Sequence, residues 1–342
     1  MKLYIHMGLN RTGTHNIRFN LWEKHPQINY LGKRQRGPGR KHLEVTELIS
    51  TLNNDDFDKR FNEILKKTEE LKLVSEKTNL ISDEDIWVQA FHYSNNNDNY
   101  RTLSRFVSRT NLLFKKINVD VYFFYVIRNQ ADLITSFYSR IASELGGSAT
   151  FNGEELIQFF KNDDSNQSTI KRFLSGFKYF ELHKNLSDAV GEDKIKFFLY
   201  ENIWDNNGLC NLSNYLKIDS NISIKLLQDR GVNSFSSVFE ESLRYNSPIS
   251  IIFYKLKKNI KNPTIFFENF FKKTLRMFRL MFASLSKVNP QQEKDRQKMM
   301  NDFYNQYNII KNNKSLIKRY YKDDCLALKK SHKLDIEKYN YF

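Results

Sequence analysis

Residues 2–16 read KLYIHMGLNRTGTHN, a short apolar run followed by a turn with two glycines. The segment Lys2–Met7 is short and mostly apolar, as expected of a buried strand that ends at Gly8. A helix is predicted from about Thr14 to Lys24, because Pro26 cannot continue it. A strand that turns through glycines directly into a helix is a common start of an α/β domain.

Strands and helices alternate along the rest of the chain. The clearest strand is Val119–Ile127, which is apolar or aromatic on both faces, as at the centre of a parallel sheet. Further strands are predicted at 27–31, 80–82 and 195–200, and helices within 43–70 (broken near 53–56) and at about 131–145 and 208–216. The alternation predicts one three-layer α/β domain over residues 1–342 with a central, mainly parallel sheet. Residues 249–310, basic and rich in Phe, are predicted to add helices to it.

Composition limits the environment and the partners. The 342 residues include 54 Lys and Arg against 39 Asp and Glu, a net charge of +15 that favours anionic partners or, alternatively, only a solvated basic surface. Cys210 and Cys325 fit neither a disulfide framework nor paired zinc ligands, which indicates a reducing compartment. No segment has the roughly 18 apolar residues of a membrane span, and no signal peptide is recognised. A cytoplasmic, soluble protein is expected.

The loop from Gly8 to Gly13 is predicted to hold a phosphate. Backbone amides of the turn and of the helix start point at one spot, and the helix dipole adds positive charge there. Arg11 and Thr12 supply further donors. The two glycines have the spacing of an ATP-type P-loop, but Thr14-His15 follows where that motif has Lys-Ser/Thr, which disfavours an ordinary NTPase. A tight turn without a ligand is the alternative.

Arg128 and Ser136 suggest a second phosphate site. Arg128 follows the strongest strand, and Ser136 lies eight residues later, about two turns into the predicted helix. Ligands of open parallel sheets bind at the carboxyl edge, where this arginine would reach a phosphate. An ion pair that caps the sheet is the alternative.

Together these motifs resemble those of the PAPS-dependent sulfotransferases, where PAPS is 3′-phosphoadenosine 5′-phosphosulfate. Residues 4–14 look like the family's 5′-phosphosulfate loop, usually Pro-Lys-Thr/Ser-Gly-Thr-Thr/Ser, and the Arg128–Ser136 pair is similar to its 3′-phosphate element. Arg11 replaces the family's bridging lysine, and His15 stands where Thr or Ser is expected. Arginine keeps the charge but is not equivalent to a mobile lysine.

Four later stretches extend the resemblance over most of the chain. They are the Tyr-Glu strand end in Lys196–Asn202, the Leu216–Ile218 segment, the Arg230–Ser236 loop and the tail around Tyr320–Leu328. The resemblance implies a P-loop-like sulfotransferase fold and an enzyme that moves a sulfuryl group from PAPS to a hydroxyl, releasing PAP, with no metal and no nucleic acid. The implied donor site comprises Arg11, Thr12, Gly13, Thr14, His15, Asn16, Arg128, Ser136, Arg230 and Gly231.

A carbohydrate or glycan acceptor is expected from the family's bacterial branch and from the basic charge. Arg11 would take part in catalysis together with a general base. The family places that base after the second or the third strand, so the candidates are His42, with Glu44 beside it, and Glu84. Two alternatives stay open: a P-loop kinase-like phosphotransferase, and a catalytically degenerate protein that binds nucleotide or polyanion.

Two basic segments have several interpretations. The loop at 33–41 would overhang the acceptor side as a lid or a glycan-binding loop, or is only a disordered basic loop. Residues 264–286 form a basic amphipathic pattern, which is typical of peripheral contact with an anionic membrane, here the inner face. A core helix or a partner contact gives the same pattern.

Overall fold

The computed structural model describes residues 1–9, 11–32, 41–84, 86, 99–136, 153–162, 168–228, 301, 305–332 and 334–342. The chain divides into two compact units, the first made of residues 1–137, 154–231 and 310–342, the second of 138–153 and 232–309. The first unit carries every site discussed below. Most of 249–310 lies outside the described residues, and the single domain over 1–342 stays a prediction.

Five strands form one sheet in which all neighbours run parallel. Their bounds are β1 Lys2–His6, β2 Ile28–Tyr30, β3 Thr78–Ser82, β4 Asp120–Ile127 and β5 Ile195–Leu199. The order is β2-β3-β1-β4-β5, and Ile5 on β1 pairs with Ile81 on β3 and with Phe123 on β4. The chain leaves β1 toward one edge and later returns to its other side. This reversal opens a crevice at the carboxyl edge, where such sheets bind ligands.

Helices cover both faces of the sheet, so the predicted three-layer α/β class is confirmed. Their bounds are α1 Thr14–Ile17, a π-helix Arg18–Trp22, α2 Lys41–Thr51, α3 Asn54–Lys59, α4 Phe61–Glu69, α5 Asn99–Lys116, α6 from 130 and described to 136, α7 Gly153–Asn162, α8 Ser168–Ser175, α9 Tyr179–Val190, a 3-10 turn Glu192–Lys194, α10 Tyr200–Ile203, α11 Asn206–Leu216, α12 Ser220–Gln228 and α13 Lys314–His332. The long helices α5, α9 and α13 were not predicted. Within the described ranges, no helix is long and apolar enough to cross a membrane.

The core lies against both faces of β4, whose residues from Phe123 to Ile127 are all buried. On one face, Phe124 and Val126 pack with the π-helix and with α11. On the other face, Tyr125 stacks edge-on with Phe197 of β5, which in turn contacts His183 of α9. Burial on both faces explains why this strand has no polar alternation in the sequence.

Arg109 on α5 joins that helix to the turn between α2 and α3. Its guanidinium donates to the carbonyls of Ile49, Leu52 and Asn53 and to the Asn54 side chain, at 2.7–3.0 Å. Burial lowers the pKa of Arg109 to about 10. This arginine is 6% exposed, and its buried charge is met by four acceptors, as a structural role requires.

Two histidines stack where α13 ends on α9. The ring centroids of His183 and His332 are 3.9 Å apart. Burial, and then the charge of His332, lowers the pKa of His183 to about 4, while burial lowers the pKa of His332 as well. Both rings are therefore neutral in the folded protein at physiological pH.

This pair predicts a loss of stability in mild acid. Below pH 6.5 an unfolded histidine binds a proton that folded His183 takes up only near pH 4, so the free energy of unfolding falls between these values, by up to about 3 kcal/mol. Urea unfolding at pH 7, 5.5 and 4.5 measures the slope. The variant His183→Gln should flatten this slope, and an unchanged slope would contradict the assignment.

Candidate functional site

The loop after β1 turns sharply because two glycines take left-handed backbone angles. Gly8 has φ +55° and Gly13 has φ +73°. A Cβ on Gly8 would lie 2.7 Å from the Cα of Glu84, and one on Gly13 would lie 2.4 Å from Cζ2 of Trp204. Both contacts are closer than any side chain tolerates, so the loop is pressed against the end of β3 and against α10.

Hydrogen bonds inside the loop lead it into the helix. The buried Thr12 hydroxyl donates to the Leu9 carbonyl at 2.6 Å. The Ile17 amide donates to the Gly13 carbonyl at 3.0 Å, which is the first bond of α1. The next helical stretch, Arg18–Trp22, is a π-helix, a form found often at functional sites. Loop and helix thus form the strand–turn–helix arrangement that the sequence predicts.

Arg11 also has a positive φ, at 70°, although it is not a glycine. A left-handed backbone costs a non-glycine residue about 1–3 kcal/mol and is concentrated at functional sites. Two contacts hold it: the Arg11 carbonyl accepts from Nη1 of Arg128 at 3.0 Å, and Nε of Arg11 donates to the Ser136 carbonyl at 3.2 Å. The loop after β1 and the predicted Arg128–Ser136 element therefore meet, although they are far apart in sequence.

The position of Arg128 is fixed from three directions. It directly follows β4, and its guanidinium lies 4.7 Å from the centre of the Tyr200 ring. The Tyr179 hydroxyl donates to its carbonyl at 2.7 Å. A half-buried guanidinium oriented in this way can bind an oxyanion at the carboxyl edge of the sheet, because little side-chain entropy remains to be lost.

Hydrogen bonds from Asn129 and around Glu201 hold the end of β4. The Asn129 amide donates to Oε1 of Glu201 at 3.0 Å, and the Tyr341 hydroxyl donates to Oε2 of the same carboxylate at 2.9 Å. The Asn129 side chain caps α6 through the Ala131 amide at 3.0 Å and donates to the main-chain carbonyl of Asn340 at 2.6 Å. Burial raises the pKa of the Glu201 carboxyl, and these hydrogen bonds oppose the rise.

His15 and Asn16 lie on the first turn of α1. Nη2 of Arg18 donates to Nδ1 of His15 at 3.3 Å. The His15 ring packs edge-on against Phe19, with centroids 4.2 Å apart. Asn16 accepts from the Asn20 side chain one turn later. His15 is exposed, whereas Thr14 is buried.

The base candidates lie at the edge formed by β2 and β3. Glu84 follows β3 and is half-buried beside Gly8, at the start of the loop. His42 and Glu44 lie in the first turn of α2, and Glu44 accepts from Nζ of Lys67 at 3.0 Å in an exposed ion pair. The His42 side chain is outside the described residues, so the choice between His42 and Glu84 stays open.

Three predictions fall on residues that the structure does not describe. They are the donor-site residues Arg230 and Gly231, the amphipathic segment 264–286, and most of the basic loop 33–41. Within the described ranges, no three His, Cys, Asp or Glu side chains form a group that could hold a metal ion.

Arg18, Tyr200 and Trp204 were not predicted as parts of the site. A signal for Arg18 existed, because it lies one turn after Thr14 and one before Leu21 and Trp22, on the face that a helix buries. The contacts of Tyr200 and Trp204 with Gly13 join elements distant in sequence and left no local signal.

Comparisons with known proteins give a distant likeness in fold. No protein-family model and no curated protein matches the sequence. Among solved structures, a sulfotransferase from Alicyclobacillus acidocaldarius is similar, with a TM-score of 0.40 and 11% identity over 73% of this chain and 96% of that chain. A likeness of this degree carries no argument about function, which has to come from the site itself.

The Gly13–Trp204 contact predicts coupled substitutions. Gly13→Ala should lower the free energy of unfolding by at least about 1–3 kcal/mol, because of its φ of +73° and because the new methyl meets Trp204. Trp204→Leu should remove the clash, so the double variant loses less stability than the sum of the single ones. Urea unfolding measures all three variants.

The matched control for this cycle is Gly191→Ala. Gly191 also has positive φ, at +98°, but it precedes β5 and meets Asp193, not Trp204. Its destabilisation should add to that of Trp204→Leu. Additivity for Gly13→Ala as well would show that the Trp204 contact does not matter.

Proposed function

We propose that the chain is a PAPS-dependent sulfotransferase that moves a sulfuryl group to an acceptor hydroxyl and releases PAP. The observation that carries the proposal is the contact between the phosphate-type loop and the Arg128–Ser136 element, through Arg11 at 3.0 and 3.2 Å. PAPS carries two anionic groups on one nucleoside. A loop and an arginine held side by side can bind both, whereas ATP requires one phosphate site only.

The proposed roles follow from position. The turn amides and Arg11 to Asn16 would bind the 5′-phosphosulfate, and Arg128 with Ser136 would bind the 3′-phosphate. Arg230 and Gly231 would complete the nucleotide site. The loop's amides and guanidinium groups are the donors that stabilise charge on a transferring sulfuryl group.

The reaction exchanges one sulfur–oxygen bond for another. The acceptor oxygen forms a bond to sulfur while the bond from sulfur to the 5′-phosphate oxygen breaks and leaves its electron pair on PAP. The acceptor's proton goes to the general base, for which we propose Glu84 or His42. Glu84 lies beside Gly8 at the start of the loop. We propose a carbohydrate acceptor, which the net charge of +15 supports for an acidic glycan.

Binding of PAP tests the donor site. PAP should raise the melting temperature, and isothermal titration should give a tighter dissociation constant for PAP than for adenosine 5′-phosphate, which lacks the 3′-phosphate. Arg128→Met should weaken PAP binding by about 10–100-fold, because the 3′-phosphate loses a charge-assisted bond, and should weaken adenosine 5′-phosphate binding less, because both nucleotides share the loop that Arg128 supports. The exposed Arg60→Met serves as control.

Other outcomes would contradict this donor assignment. Equal losses for both nucleotides would mean that Arg128 only supports the loop. Stabilisation by ATP with magnesium but not by PAP would favour a kinase-like phosphotransferase. Tight PAP binding without turnover on a broad panel of acceptors would favour the degenerate nucleotide-binding alternative.

Measurements of kcat together with PAP affinity test which residue is the general base. Of Glu84→Gln and His42→Gln, the variant that removes the base should lower kcat by about 10²–10⁴-fold while its PAP affinity stays that of the unaltered protein. The pH–rate profile of that variant should lose its acidic limb. If neither variant loses the limb, both assignments are wrong.

A further inference from the structure

Arg18 is a buried cation with no ion pair among the described residues. It lies in the π-helix after α1 and is 4% exposed. Its contacts are the hydrogen bond to His15 at 3.3 Å and the Phe19 ring, 4.6 Å from the guanidinium carbon. Nε and Nη1 have no hydrogen-bond partner, and no carboxylate pairs with Arg18 in the described part of the chain.

Two neighbouring side chains also keep unused polar atoms. Nε1 of Trp22, a donor, and Nε2 of His6 have no partner among the described residues. The rings of His6 and Trp22 are 5.0 Å apart, and Nδ1 of His6 bonds to the Ser82 hydroxyl at 2.9 Å. Burial, followed by the charge of Arg18, lowers the pKa of His6 to about 3, so this histidine stays neutral. His6 therefore carries no charge beside that of Arg18.

This arrangement is costly unless a ligand completes it. A buried guanidinium loses its hydration, and only a paired anion or several acceptors offset that loss. Arg109 shows how this chain satisfies a structural arginine, with four acceptors at 2.7–3.0 Å. Arg18 has one. The unused atoms at Arg18 and Trp22 are all donors, which suits an oxyanion such as a carboxylate or a sulfate.

Arg18 lies beside the proposed nucleotide site, since it donates to His15, and its charge extends from there toward β2. Its charge acts on His6 of β1 and opposes the rise that burial causes in the pKa of Tyr30, which ends β2. In the sheet order β2-β3-β1-β4-β5, β2 is the edge strand on the opposite side of β1 from β4, which Arg128 follows. An anion at Arg18 is thus on the β2–β3 side, where the base candidates also lie.

We propose that Arg18, together with Trp22 and His6, forms a buried oxyanion subsite that binds an acidic group carried by the acceptor, a carboxylate or a sulfate ester. This inference rests on the proposed function, because it names the chemical class of the acceptor in that reaction. It selects an acidic saccharide over a neutral one, and it orients the acceptor from the β2–β3 side while the donor occupies the β4 side.

The first test compares two buried arginines without any ligand. Arg18→Met removes an uncompensated charge and keeps the volume, so the free protein should be as stable as the unaltered one or more stable. Arg109→Met removes four hydrogen bonds and should lower the midpoint of urea unfolding markedly. A loss for Arg18→Met equal to that for Arg109→Met would make Arg18 structural and overturn the subsite.

The second test adds anions to the full-length protein saturated with PAP. Sodium sulfate, compared with sodium chloride at equal ionic strength, should raise the melting temperature by about 2–4 °C at ten times its dissociation constant. Arg18→Met should lose this gain. Arg18→Lys keeps the charge but lacks the planar guanidinium, so it should keep only part of the sulfate-dependent rise in melting temperature. This variant replaces Arg18→Met in the test if Arg18→Met does not fold.

The third test separates the acceptor from the donor as the source of the anion. A uronic-acid disaccharide should stabilise the PAP complex, and its neutral hexose counterpart should do so less, with the difference absent in Arg18→Met. If PAP abolishes the sulfate gain, the anion belongs to the donor and the acceptor subsite is wrong. If PAP itself does not bind, the proposed function fails, while a sulfate gain that depends on Arg18 would still establish the anion site.

Discussion

The hydrogen bond from Arg128 to the Arg11 carbonyl holds the site together. That carbonyl faces Arg128 because Arg11 adopts a left-handed backbone between two glycines that do the same. The strain of such a residue persists only where its surroundings over-determine it. Here the surroundings are Glu84 against Gly8, Trp204 against Gly13 and the arginine itself. The end of β4, the end of β3 and α10 all meet through this short turn.

The sheet order gives the turn two chemically different sides. Toward β4, Arg128 is stacked on Tyr200 and its main chain is held by Tyr179. Toward β3 and β2, Arg18 lies among buried side chains, of which Trp22 has no acceptor for Nε1 among the described residues. Under the proposed function, one side would take the donor and the other the acceptor. A transferase that must hold two substrates in line needs this separation.

Sequence reasoning found the elements with strong local signals. The strand–glycine–helix pattern at 2–16 and the doubly apolar strand at 119–127 gave the central strands and the loop between them. The helices α5, α9 and α13 were missed because polar and charged residues interrupt their apolar positions and leave a narrow apolar stripe. The contacts of Trp204 with Gly13, and the missing partner of Arg18, depend on tertiary packing, which no single segment encodes.

The contacts of Asn129 bear on how relatives of this chain would compare. Its side chain donates to the main-chain carbonyls of Tyr339 and Asn340, while its own amide reaches Glu201. Carbonyls are the same in every residue, so these two bonds fix the path of the last residues without selecting the side chain at 339. In an alignment, position 339 would look variable, although the capping residue of α6 depends on its carbonyl. Conservation of Asn129 and Tyr341, not of residue 339, would record that the tail is needed.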